Sequence, residues 1–163
     1  ASSVTTRPKR RAENTRKRYY FVTDEDFDEL VKNNALLEWE HVHTWRYGTL
    51  KRSVEEPLAA GKNVLLNIDY KGALKIKVQF HQFNPLTIFL TFDPATTLRE
   101  AIAKRFANDP KRRKLSDKEV DVRSETAKEE SAHKGKFDVV IKNSDGQFDA
   151  TVELAEKAIA EHV

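Results

Sequence analysis

Three runs in this chain are apolar without alternating: Asn63 to Asp69, with Val64-Leu65-Leu66 inside it, Leu86 to Phe92, and Phe137 to Ile141. A strand with one wet face alternates polar and apolar residues, whereas a strand covered on both faces does not. The segments between and after these runs carry helical spacing: Gly72 to Phe80, Thr97 to Phe106, Asp117 to His133 and Phe148 to Glu161. Unpatterned strands separated by helices predict an α/β fold with a parallel sheet flanked by helices. In such sheets ligands sit beyond the carboxyl ends of the strands. Asp69, closing the first run, is therefore a candidate site residue on position alone.

The front of the chain breaks this rhythm. Tyr19 to Val22 reads as a short strand, and Thr23 offers an N-cap ahead of Asp24, Glu25 and Asp26. The helix so begun runs to about Asn33, with Phe27, Leu30 and Val31 on one face. Leu36 to His43 alternates as a half-buried strand, and Tyr19 to Thr49 together form a small mixed insertion. Val54 to Ala60 reads as a helix stopped at Gly61, with Pro57 counting against its interior.

Composition bounds the rest. With 163 residues, 39% hydrophobic and 34% charged, the chain is expected to be a soluble domain with a real core. No apolar run approaches a membrane span, and the polar, basic start is unlike a secretory signal. Cysteine is absent, which excludes disulfides, thiolate zinc sites and cysteine nucleophiles and agrees with a cytoplasmic setting. Methionine is absent too, so Ala1 is not expected to be the translation start. Net charge is only +3, yet Arg7, Lys9, Arg10, Arg11, Arg16, Lys17 and Arg18 cluster against Glu13 alone, and Lys111 to Lys114 is a second basic run. Such clusters answer anionic ligands or solvent. The second reads as a solvated tip rather than a nucleic-acid patch. His41 and His43 share one strand face, but no third ligand lies near and no zinc is expected.

The order of short elements is more specific than any of them singly. Ser3-Val4-Thr5-Thr6-Arg7 is followed by Arg10, Glu13 and Tyr19-Tyr20-Phe21-Val22. Then come Leu37-Glu38-Trp39, Tyr47-Gly48-Thr49, Ala60-Gly61-Lys62, and Leu66-Asn67-Ile68-Asp69 with Gly72. The series resembles the guanylate kinase pattern S-x-T-T-R, R, E, Y-x-F-V, E-W, Y-G-S/T and D/E-I-D-x-x-G, in order from Ser3 to Gly72. The match continues more loosely through Phe89-Leu90 and through Phe137-Asp138-Val139-Val140-Ile141 with Asn143. It implies a P-loop nucleoside monophosphate kinase type of α/β fold with a GMP-binding insertion and a lid. Residues 1–18 would open the GMP-binding region and 19–50 complete it. The core would take 51–106 and 125–163, and the lid 107–124.

The residue chemistry agrees with that resemblance. Arg7 and Arg10 can converge on one phosphate, since guanidinium groups meet phosphate oxygens bidentately, and Tyr19 and Tyr47 can each add a hydroxyl donor. Glu38 would accept the adjacent N1–H and N2–H of guanine. Adenine lacks that pair and would leave the carboxylate unmatched. Thr49 can serve the O6 side. Ser3 and Asp69 carry over as guanine contacts, and Glu13, Asn67 and Gly72 as supports. Arg105 and Arg123 are the implied lid arginines for ATP, and Asn143 would lie near the adenine. Mg²⁺ would accompany ATP, with Asp69 in its outer shell.

The chain departs from the family in places. Asn67 stands where an acid is usual, Lys71 where Gln is, and Ala12, Arg16 and Arg18 replace Gly, Gly and Asp. The family's opening strand and G-x-x-x-x-G-K-S/T loop match none of the five glycines, Gly48, Gly61, Gly72, Gly135 and Gly146. The expectation is that the native protein carries this loop ahead of Ser3. The resemblance then implies ATP + GMP → ADP + GDP by a monomer or homodimer, with neither membrane nor nucleic acid as partner. The alternative is a catalytically inactive guanylate-kinase-like module that binds phosphopeptides or GMP. A basic nucleic-acid binder is the third reading.

Overall fold

The computed structural model describes residues 1–9, 19–92, 98–107, 115–144 and 147–162, apart from the side chains of 104–106. The described chain divides into two units, Ala1–Ile76 and Lys77–Val163.

The first unit is built on a four-stranded sheet in the order β2-β1-β4-β3, with β1 at Ser3–Thr5, β2 at Tyr19–Phe21, β3 at Leu36–Val42 and β4 at Trp45–Leu50. β1 pairs parallel to β2 and antiparallel to β4, and β3 and β4 form a hairpin. His43 takes the positive φ its two-residue turn requires. Helix α1, Asp24–Lys32, starts at Thr23 with a full capping box: the Thr23 hydroxyl accepts from Asp26 N–H, and Asp26 accepts from Thr23 N–H. That helix lays Phe27 on the sheet, where it packs fully buried with Val4, Leu36 and Leu50, flanked by Val22 and Leu30. Burying one phenylalanine in this way contributes about 1.5–3 kcal/mol. Arg46 of β4 closes the edge of this core. Its guanidinium lies 4.5 Å from the Phe27 ring centroid and pairs with Asp24 at 2.8 Å and Asp28 at 2.5 Å.

Helix α2, Arg52–Ala59, keeps Pro57 in its interior. It ends in a Schellman motif: Gly61 sits at φ 70, Gly61 N–H donates to Leu58 O, and Lys62 N–H donates to Pro57 O. The expected strand over Asn63 to Asp69 is not formed. The segment has no regular structure, among the described residues no neighbouring strand pairs with it, and Leu65 is 78% exposed. Apolar periodicity reports which side chains want burial; a strand also needs a backbone ladder. Helix α3, Tyr70–Gln79, follows directly.

The second unit holds the parallel pair, β5 at Ile88–Phe92 and β6 at Val139–Asn143. Asp138 locks the two strands at their start. Its carboxylate accepts from Thr87 N–H at 2.9 Å and the Thr87 hydroxyl at 2.6 Å, and it pairs with Lys77 at 2.5 Å. Helices α4, Leu98–Ala107, and α5, Asp117–Ala132, are joined by Arg99, which reaches Asp117 and Asp121. Ser116 and Glu119 form a second capping box at the start of α5. Helix α6, Phe148–His162, rests on β6, with the buried Thr151 hydroxyl donating to Asn143 Oδ1 at 3.1 Å. Among the described residues no helix is long and apolar enough to cross a membrane.

Candidate functional site

Strand register alone gathers the candidate residues. Paired residues share a sheet face, and successive residues alternate. Val4, Gly48, Leu36 and Leu50 take the face that meets Phe27. Ser3 pairs with Tyr19 and Thr49, Thr5 with Tyr47, and Thr49 with Glu38, so these occupy the opposite face. Simple alternation from Leu36 would not set Glu38 beside Thr49. The register slips between Leu36, opposite Leu50, and Glu38, opposite Thr49. This β-bulge re-aims the glutamate away from Phe27. The predicted even alternation of this strand is thereby corrected: Leu36, Leu37 and Glu38 are buried in succession.

The face forms one wall of a cavity of about 190 Å³, lined by Ser3, Tyr19, Glu38, Glu40, Val42, Tyr47, Gly48 and Thr49 and by Asn67, Ile68 and Asp69. Pockets that hold whole drug-sized ligands run to about 300–1,000 Å³. A volume below that range suits a single ring system, with any attached groups carried outside it.

Glu38 and Thr49 are both buried, and the Thr49 hydroxyl donates to Glu38 Oε1 at 2.6 Å. Its one proton is thus committed to the carboxylate in this arrangement. Burial pushes the Glu38 carboxyl above its usual range, helped by the nearby Asp69 and Glu40 charges, while the Thr49 hydrogen bond and Lys75 pull the other way. Burial likewise raises Asp69. Asp69 acts as the N-cap of α3, accepting from Gly72 N–H at 2.7 Å. A side chain at Gly72 would displace the carboxylates beside it: a Cβ there would lie 2.8 Å from Glu38 Oε2 and 3.2 Å from Asp69 Oδ1. Gly48 is held to glycine in the same way by Leu36 Cδ1 at 2.9 Å and Glu38 O at 3.1 Å.

Arg7 follows β1 and is buried. Its N–H donates to the Thr5 hydroxyl, its Nη1 donates to Pro8 O, and its guanidinium lies 5.3 Å from the Phe21 ring centroid and 5.9 Å from that of Tyr19. Tyr19 in turn meets the Tyr47 ring edge-on at 6.1 Å. Arg7, Tyr19 and Tyr47 therefore stand together beside the Glu38 cavity. The two threonines of the motif do structural work. Thr5, fully buried, donates to Arg46 O, and the Thr6 hydroxyl accepts from Arg46 N–H.

Arg10 and Glu13 lie outside the described residues, as does the side chain of Arg105 on α4. Arg123 on α5 and Asn143 at the end of β6 belong to the second unit, where Asn143 Oδ1 is taken by Thr151. Sequence reasoning missed Glu40, Val42, Gly48 and Ile68 in the cavity wall. The signal was present for the first two, which follow Glu38 at the strand spacing of two. Among the described residues no group of three or more His, Cys, Asp or Glu is placed to hold a metal, at His41 and His43 or elsewhere.

The family model described as Guanylate kinase matches residues 2–162. A guanylate kinase of Polaromonas sp. is 38% identical over 143 residues, covering 88% of this chain and 65% of that protein. One of Thermotoga maritima is 39% identical, covering 86% of this chain and 64% of that protein. The chain thus spans just under two thirds of the length of these relatives. The crystal structure of a guanylate kinase from Anaplasma phagocytophilum matches all of this chain and 76% of that one, with a TM-score of 0.76 and 26% identity.

Proposed function

The chain belongs to the guanylate kinase family, and on that premise we propose that it serves the ATP-dependent phosphorylation of GMP to GDP, reading guanine with Glu38. The observation that carries this reading is the buried Glu38 carboxylate held by the Thr49 hydroxyl. A buried carboxylate with spare lone pairs needs donors. Guanine supplies two side by side. Adenine presents a ring-nitrogen acceptor there, and repulsion would reject it. A phosphate group offers that carboxylate no donor, which favours a nucleotide over a phosphopeptide as the ligand; an inactive module that binds GMP is told apart by turnover.

The base would enter the cavity with Ser3 and Asp69 near its rim. Arg7, Tyr19 and Tyr47 would hold the phosphate outside, joined by Arg10. Fixing the acceptor oxygen in line, with its charge neutralised, is most of what phosphoryl transfer asks of a protein. Arg105 and Arg123 would meet the ATP phosphates, and Asn143 the adenine. Closure of that segment would exclude water.

Mg²⁺ keeps several waters and takes only one or two carboxylates besides the substrate phosphates. Asp69, a single carboxylate with one oxygen on Gly72 N–H, fits a role behind the ion's water shell. The ion would neutralise phosphate charge. Such a reaction belongs to purine nucleotide metabolism in the cytoplasm.

The test is binding of GMP and AMP to the wild-type chain and to Glu38→Ala, together with ADP formation from ATP, Mg²⁺ and either nucleotide. GMP-selective binding that disappears in Glu38→Ala is expected; equal binding of both nucleotides by the wild type would sink the guanine reading.

A further inference from the structure

We propose that Glu40 and Lys75 form an opposed-charge positioning pair that ties β3 to α3 along the cavity wall and sets the field in which Glu38 accepts the base. The proposal rests on the guanine reading above. Glu40 lies two residues beyond Glu38 on the same face of β3, and its side chain is only 18% exposed. Lys75 reaches it from α3, the helix that Asp69 caps and in which a Cβ at Gly72 would meet Glu38 Oε2. The pair thus joins the strand carrying the base reader to the helix that limits its movement.

It also balances charge. Three carboxylates, Glu38, Glu40 and Asp69, line one cavity. Glu38 is faced by Glu40 on its own strand, by the Thr49 hydroxyl from β4, by Asp69 from the segment before α3, and by the Lys75 ammonium from α3; Lys71 acts on Asp69. Tyr19 and Tyr47 are the other titratable groups in the lining. Glu40 opposes ionisation of Glu38 and Lys75 favours it. The two members of the pair therefore act on the base reader with opposite signs, although losing either one cuts the same tether.

That difference separates a field effect from a merely structural one. GMP binding to the whole chain is followed by calorimetry from pH 4.5 to 8. Acidification weakens binding as Glu38 takes a proton. Titration of the nucleotide's own phosphate is common to every variant and cancels between them. Lys75→Met should raise the midpoint by about half a unit and Glu40→Gln should lower it by about as much, for groups partly screened by solvent. The double variant should return near the wild type, and Lys75→Arg should keep the wild-type midpoint. Midpoints that stay put, or that move in the same direction for both single variants, overturn the proposal. A wild type that binds GMP no better than AMP overturns the guanine reading and the pair's role with it. A GMP-selective wild type with unmoved midpoints overturns the pair alone.

Discussion

Gly72 leaves the Glu38 carboxylate in the space that a side chain would take: a Cβ at position 72 would lie 2.8 Å from Oε2. Gly72→Ala forces one of them to move. Alanine is the better helix residue by about 1 kcal/mol, which offsets an overpacking cost of about 1–3 kcal/mol. Thermal stability should therefore change little, while the displaced carboxylate meets guanine badly. GMP affinity should fall roughly tenfold, or ~1.4 kcal/mol, by calorimetry, with the melting temperature within a few degrees of wild type. Unchanged GMP affinity would show that Glu38 is not held by this contact.

What could be read in the sequence follows the range of the interactions involved. The capping box of Thr23 and Asp26 and the stop at Gly61 are local, and both form as their residue types require. The parallel strands Ile88–Phe92 and Val139–Asn143 form where apolar runs fall. β1 could not be anticipated. It has three residues, and its partner β4 lies more than forty positions away. The bulge that turns Glu38 towards Thr49 is likewise a matter of register, to which side-chain periodicity is blind. Asn63 to Asp69 shows the converse: the pattern is that of a strand, and no ladder forms among the described residues. The candidate site was legible because its motif spacing fixed the residue types. Strand spacing puts Glu40 on the face of Glu38, but its pairing with Lys75, on another element, is not written in that spacing.

The raised Glu38 carboxyl makes stability and recognition pull apart. An acid whose folded pKa lies above its unfolded value favours folding when protonated; that advantage is present below 4.5 and is lost as pH rises through the folded value. Wherever Glu38 is ionised, the ligand-free chain thus carries a buried charge against its stability. Glu38→Gln, which keeps the shape and can still accept from Thr49, should raise the melting temperature at pH 7 and leave it little changed near pH 4. It should also cut the preference for GMP over AMP by about 10- to 100-fold, because a charged acceptor is lost. A variant both less stable at pH 7 and still GMP-selective would contradict both halves.

Thr49→Val preserves volume and removes the hydroxyl that donates to Glu38 at 2.6 Å. That hydrogen bond favours the ionised carboxylate, so its loss pushes Glu38 further towards protonation. A hydrogen bond to a charged group is worth about 1.5–3 kcal/mol. GMP binding at pH 6 should weaken by roughly tenfold or more, and part of the loss should be recovered at pH 8. A loss of equal size at both pH values would mean that Thr49 acts on the base directly instead of through Glu38.

Asp138 in the second unit behaves in the opposite sense. Burial works to raise its carboxyl, but the Lys77 ammonium and the Thr87 hydroxyl and amide outweigh that and hold it at about 2, below the usual 3.8. A depressed acid favours folding above its unfolded pKa and loses that contribution as pH falls through its folded one. The stabilisation is therefore present above about pH 4–5 and fades towards pH 2. With the side chain 37% exposed, solvent screening reduces it to about 1 kcal/mol. Asp138→Asn should unfold earlier in urea by that amount at pH 6, and the gap should narrow steadily as the pH is lowered from 4 to 2. Because Thr87 and Lys77 anchor the start of β5 and β6 through this carboxylate, amide exchange in those strands should rise in the variant at pH 6. A gap independent of pH would mean that the loss is one of packing rather than of charge.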